Sequence, residues 1–105
     1  MNHLLLREAR RVLQPEGGLI VADILRDSAW GRSYLERKRA GHLFYRHATF
    51  YTMQELEGLL ASAGFVLAGV TSAITQAPGD ALAAEPAYAG MRPGASFVCL
   101  LARAA

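Results

Sequence analysis

Arg10-Arg11-Val12-Leu13-Gln14-Pro15-Glu16-Gly17-Gly18-Leu19-Ile20-Val21 joins two kinds of structure within twelve residues. Pro15 disfavours helical geometry at Gln14, so a helix arriving from the amino terminus must stop there. Gly17 and Gly18 supply the turn. Leu19-Ile20-Val21-Ala22-Asp23-Ile24 then reads as a strand. It is continuously apolar rather than alternating, which suits a strand covered on both faces, as in a parallel sheet. Working back from Pro15, Asn2 is placed to cap a helix from His3 to about Gln14. Leu5, Ala9, Val12 and Leu13 are expected to form its apolar face.

Working forward, Asp27 and Ser28 open a second helical region reaching about Ala40, with Trp30 and Tyr34 one turn apart and Leu35 beside them. Arg32, Glu36, Arg37, Lys38 and Arg39 give it a charged, solvated face. A loop follows with His42, Phe44, Tyr45, Arg46, His47, Phe50 and Tyr51. Thr52-Met53-Gln54-Glu55 is a capping box, in which the threonine hydroxyl accepts from the amide three residues on and the glutamate reaches back. Leu56, Leu59, Leu60 and Ala63 mark the stripe of a third helix. Gly64 suits the left-handed position past its end. Phe65 to about Ile74 is a second strand, weakened by Gly69. Residues 75–94 contain Pro78, Pro86 and Pro93 and read as a long loop, a kind of segment that tends to be functional or disordered. Ser96 to Ala102 is a third strand.

The fold class is therefore α/β, with three strands and flanking helices. The strand–helix–strand portion predicts a right-handed crossover between parallel strands. The last strand follows without a helix and is expected to be antiparallel, wedged beside the others.

At 105 residues the chain is one small domain. With 52% hydrophobic and 19% charged residues it is not a disordered chain. No run of about 18 apolar residues implies a membrane span. Residues 1–11 lack a signal-peptide pattern, and a cytoplasmic setting is the expectation. The net charge of +2 does not demand a nucleic-acid partner. The single cysteine, Cys99, cannot form an internal disulfide and reads as a buried, inert thiol. No spacing of metal ligands of the zinc kind is present.

Three strands apolar on both faces make a poor free-standing sheet, because their faces and edges need cover. Either the chain dimerises, or it is the second half of a larger α/β domain. An amphipathic helix leading directly into a core strand favours the second.

The Arg10-to-Val21 stretch resembles the helix and turn entering the fifth strand of class I methyltransferases that use S-adenosylmethionine. Its Pro-Glu-Gly-Gly turn departs mildly from the family's Pro-Gly-Gly-Arg. Phe50-Tyr51-Thr52-Met53-Gln54-Glu55-Leu56-Glu57-Gly58-Leu59-Leu60-Ala61-Ser62-Ala63-Gly64-Phe65 is similar to the passage entering the family's sixth strand. The Gly94-to-Ala102 run is similar to its antiparallel seventh strand. The resemblance covers nearly the whole chain but only the family's second half. It implies a Rossmann-like methyltransferase acting on a small molecule, with S-adenosyl-L-methionine as cofactor of the complete domain. The family's glycine-rich loop after the first strand is not matched here. Gly17-Gly18 precedes a strand instead of following one, so no cofactor-binding residue is assigned. The isolated chain is expected neither to bind the cofactor nor to act alone.

Ligands in open α/β sheets bind beyond the carboxyl ends of the strands. Here those ends are Asp23 to Asp27 and the region after Ile74. The resemblance implies that the segment 28–51 caps the site and shapes the acceptor pocket. Trp30, Tyr34, Tyr45 and Phe50 are candidate walls, with Phe44 and Tyr51 beside them, and Arg46 and Lys38 offer charge. His42 and His47 are candidate bases, since imidazole titrates in the useful range; solvated loop histidines would look the same. Asp23 either orients substrate or is a strand-end carboxylate satisfied by nearby amides. A competing reading takes the basic and aromatic residues of 32–51 as a grip for single-stranded nucleic acid. Another is a non-catalytic remnant that dimerises.

Overall fold

The computed structural model describes residues 3–41, 49–79 and 83–105. Its elements in chain order are α1 (His3–Val12), β1 (Gly18–Ile24), α2 (Ala29–Arg39), α3 (Met53–Ser62), β2 (Phe65–Ala73), β3 (Tyr88–Ala89) and β4 (Phe97–Ala104). The four strands form one sheet in the order β1-β4-β2-β3. The final strand is antiparallel, as its direct approach from a loop requires, and it lies between β1 and β2. β1 and β2 therefore run in the same direction without touching. Gly69 sits where the β2–β4 register slips, so the weak point of β2 is a bulge.

A fourth strand lies inside the segment read as loop. Tyr88 and Ala89 pair with Ser72 and Thr71. A stretch this short carries no alternation to read. It is held by a buried serine: Ser72 Oγ donates to Gly90 O at 2.7 Å and accepts from Arg92 N at 2.9 Å.

The capping box forms as expected. Glu55 N donates to Thr52 Oγ1 at 3.2 Å, and Thr52 N donates to Glu55 Oε1 at 3.0 Å. Gly64 takes φ 91° just past α3. The apolar face of α1 differs from the expectation. Leu6 is buried with Ala9 and Leu13 packed behind it, whereas Leu5 is 60% and Val12 67% exposed. Leu5–Val12 and Leu6–Leu13 have the same seven-residue spacing, so periodicity alone does not choose between these neighbouring faces.

Leu6, Val21, Leu25, Leu56, Leu60, Ala63, Phe65, Val98, Leu100 and Ala102 form one cluster between α1, α3 and one face of the sheet. Cross-strand pairing puts Ile20 beside Leu101, Ala22 beside Cys99 and Val66 beside Arg103 on the opposite face. That face is open: Ile20 is 67% and Val66 52% exposed. The expectation of cover on both faces is thus met on one face. Cys99 is half-buried on the open face, not sealed in a core. Among the described residues the outer edge of β1 pairs with no strand. No helix among them is long and apolar enough to cross a membrane.

Candidate functional site

The carboxyl ends of β1 and β2 meet at a buried serine. Leu25, just past β1, donates its N–H to Ser96 O at 2.8 Å, and Ser96 N donates to Ile74 O at 2.9 Å, just past β2. Trp30 N reaches Ser96 Oγ at 3.3 Å. One residue before β4 therefore ties together both strand ends and the start of α2. Sequence reading passed over Ser96 because a serine at a strand margin has no pattern of its own.

Ser28 caps α2. Its Oγ accepts from Gly31 N at 3.0 Å and donates to Leu25 O at 2.6 Å. Gly31 allows this seat, since a Cβ there would stand 1.9 Å from Leu25 O. The first turn of α2 is thereby pressed onto the end of β1, which fixes the direction of Trp30.

Three of the expected wall residues come together. The rings of Trp30 and Tyr34 lie 6.2 Å apart at 48°. Tyr34 and Phe50 stack at 5.8 Å and 10°. The Arg37 guanidinium lies 5.7 Å over the Tyr34 ring. Trp30 Nε1 donates to Gln76 O at 2.8 Å, pinning the ladder to the segment after β2. Asp23 does not join it. Its Oδ1 accepts from Ile24 N at 2.8 Å, so it is a strand-end carboxylate turned onto a neighbouring amide. Burial pushes its pKa up, and this hydrogen bond offsets part of the rise. His42, Phe44, Tyr45, Arg46 and His47 lie outside the described residues.

Beside the ladder, Trp30, Ile74, Gln76, Ala83 and Glu85 line a cavity of about 380 Å³. Ile74 has φ 67°, a left-handed conformation that a β-branched residue adopts only under constraint. Glu85 was not singled out from the sequence, where it is one acid in a proline-rich loop. The Thr75 hydroxyl, as the largest influence, holds its pKa below the usual carboxylate range.

A larger cavity of about 460 Å³ lies between α1 and α3, lined by His3, Tyr51, Glu55, Gly58, Leu59 and Ser62. The His3 Nε2 atom is buried there without a hydrogen-bond partner. The cavity's one carboxylate is already committed: Glu55 caps α3 and pairs with Arg26 at 2.7 Å. Among the described residues, no group of three or more His, Cys, Asp and Glu side chains is arranged to hold a metal ion.

Among the described residues, the Gly17-Gly18 pair is not placed to cradle a sulfonium nucleotide. Gly17 and Gly18 stand before β1, at the sheet end away from the ladder, and Gly17 N closes its own turn on Gln14 O at 2.8 Å.

The fold is methyltransferase-like. It matches the crystal structure of a SAM-dependent methyltransferase of Thermotoga maritima, described as a "possible histamine N-methyltransferase", with a TM-score of 0.83 at 33% identity. The match covers 96% of this chain and 47% of that one. Uncharacterized proteins of Mycobacterium tuberculosis and Mycobacterium bovis are 40% identical over 97 residues, 91% of this chain. An uncharacterized protein of Methanocaldococcus jannaschii is 38% identical over 61 residues, 58% of this chain and 29% of its own length. The chain spans 34% of the length of the mycobacterial relatives. No family model matches it.

Proposed function

We propose that this chain is the acceptor-side part of an S-adenosylmethionine-dependent methyltransferase acting on a small molecule. The observation that carries the reading is the superposition on the Thermotoga maritima methyltransferase over 96% of the chain at 33% identity. The place of the aromatic ladder supports it. Trp30, Tyr34 and Phe50 gather at the carboxyl ends of the strands, where open α/β sheets take ligands.

In this reading the chain supplies position and dryness. The ladder walls the acceptor, Tyr45 and Arg46 contribute to holding it, and Asp23 stands at the end of β1. His42 or His47 removes a proton if the acceptor must lose one. The cofactor is held by another part of the complete enzyme, and this chain alone is inactive. The open sheet face and the free edge of β1 give that part a place to dock. A bare apolar edge with no charge along Gly18–Ala22 invites a further strand. A cytoplasmic setting belongs to the proposal and rests on the single cysteine.

The test is a chimera. Residues 3–105 replace the matching half of the Thermotoga maritima enzyme. The expected product is a monomer that binds S-adenosylmethionine within about tenfold of its parent's affinity, while the unmodified chain shows no binding by calorimetry. A chimera that folds without cofactor affinity, or micromolar binding by the unmodified chain, would overturn the reading. So would a stable homodimer of the chain that buries the open face.

A further inference from the structure

The cavity beside Trp30 has a lopsided polarity. The Trp30 N–H is used by Gln76 O at 2.8 Å. The Gln76 side chain is used by Ala83: Nε2 donates to Ala83 O and Oε1 accepts from Ala83 N, both at 2.7 Å. Trp30 and Ile74 otherwise present carbon. Among the described lining residues, the remaining polar group is the Glu85 carboxylate. Oε1 accepts from Thr75 N at 2.7 Å, and Oε2 accepts from the Thr75 hydroxyl at 2.7 Å and from Tyr88 Oη at 3.5 Å. These donors, together with the Gln76 amide and side chain, orient the carboxylate and hold its pKa below the usual range, but none carries a positive charge. Among the described residues Glu85 forms no ion pair. Arg92 is stacked on the Tyr88 ring at 4.2 Å, not on the carboxylate.

We infer that this cavity binds a small organic cation, an ammonium on a flat apolar body, with the body against Trp30 and the charge at Glu85. A cation gains from both the carboxylate and the indole face. An anion would meet an unneutralised carboxylate, and a neutral polar ligand would find the other hydrogen-bonding groups already engaged. The volume of about 380 Å³ falls within the range of small-molecule sites, roughly 300–1,000 Å³. The constrained backbone of Ile74, held through its carbonyl by Ser96 N, fits the tendency of such conformations to cluster at ligand clamps. As the acceptor's chemical class, the inference rests on the methyltransferase reading. As a binding site, it stands on the cavity alone.

Trp30 is the one tryptophan in the sequence, so its emission reports on this cavity directly. The full chain is titrated with 2-phenylethylamine, 2-phenylethanol and phenylacetate at neutral pH. The amine is expected to give a saturable change, the alcohol one about tenfold weaker, and the acid none in the same range. Glu85→Gln should bring the amine down to the level of the alcohol. Ala83→Leu, at an exposed lining position whose backbone bonds to Gln76 are kept, should abolish the response. If Glu85→Gln does not fold, the three-ligand series and Ala83→Leu decide the matter. Equal binding of acid and amine, or no saturable amine response up to about 10 mM, would overturn the inference. The titration involves no cofactor and no transfer, so its failure leaves the methyltransferase reading intact. A chimera unable to bind cofactor would leave the cation site intact.

Discussion

Gly31→Ala separates helix propensity from packing. Gly31 lies in α2, where alanine is ordinarily better than glycine by about 1 kcal/mol. Here an added Cβ would stand 1.9 Å from Leu25 O and 2.8 Å from both Arg26 O and the Leu25 carbonyl carbon. A carbon normally keeps about 3.3 Å from a carbonyl oxygen, so roughly 1.4 Å of movement is needed. All three obstacles are backbone atoms, and no side chain can swing away. The helix must lift off the end of β1. That stretches the 2.6 Å bond from Ser28 to Leu25 O and disturbs the cap on Gly31 N. Overpacking costs about 1–3 kcal/mol and a lost cap about 1 kcal/mol, and the propensity gain of about 1 kcal/mol offsets part of this, for a net loss of about 1–3 kcal/mol. That is a large share of the stability of a domain this size, about 5–15 kcal/mol. Urea unfolding read by Trp30 emission measures it, and the native emission should also shift as the indole leaves Gln76 O. Gly58→Ala is the control: it lies in α3 with nothing within 4 Å of an added Cβ, and it should gain up to about 1 kcal/mol. Mutants that move the midpoint in the same direction would refute the reasoning.

Ile74→Gly should be more stable than Ile74→Ala by about 1 kcal/mol in thermal melts, the reverse of the usual order, because φ is 67° there; alanine proving the better residue would mean the backbone is not left-handed in solution. Asp23→Asn should raise the melting temperature at pH 7. Burial raises the folded-state pKa of Asp23, so its relative stabilisation is full below the unfolded value near 3.8 and is lost as pH rises through the folded one; the advantage of asparagine should therefore vanish below pH 3.8. Glu55 and Glu85 have the opposite sign. Hydrogen bonds from the Thr52 amide and the Thr75 hydroxyl lower their folded values, so their contribution is present above the ordinary carboxylate range and fades on acidification. Melts of Glu55→Gln that follow the wild type at all pH values would contradict this. Ile20→Lys should leave the chain alone within about 0.5 kcal/mol, since Ile20 is 67% exposed, yet block assembly of the chimera; normal assembly would remove the open face from the docking surface.

Elements announced by local chemistry were legible in the sequence. Thr52 and Glu55 can do little together except close a capping box, and Pro15 with Gly17-Gly18 can do little except end a helix and turn into a strand. The antiparallel last strand followed from the lack of a crossover helix before it. What failed was choice among equivalents. The leucine-rich α1 offers two apolar stripes with one period, and contact with α3 and the sheet decides for Leu6. β3 depends on Ser72, whose hydroxyl catches Gly90 and Arg92 from eighteen and twenty residues away. Trp30, Tyr34 and Phe50 stood out in the sequence as large aromatics that need partners, and their rings do pack together. Ser96 and Glu85 did not stand out, because their importance lies in long-range bonds that small polar residues do not advertise.

The two ends and the two faces of the sheet differ in how far they are built, and the difference has a physical order. Ser96 closes the ladder end by bonds to Trp30, Leu25 and Ile74, none of which involves the open face. The face under α1 and α3 holds the apolar cluster, with Val98, Leu100 and Ala102 of β4 sealed at its centre. Ile20, Ala22, Cys99 and Leu101 lie on the other side of the same strands and take no part in that seal. The ladder end can therefore be shaped before anything covers the open face, and adding cover there should stabilise the chain without redrawing the ladder. A partner that docks on β1 would act on the site by bringing its own groups to a wall already in place.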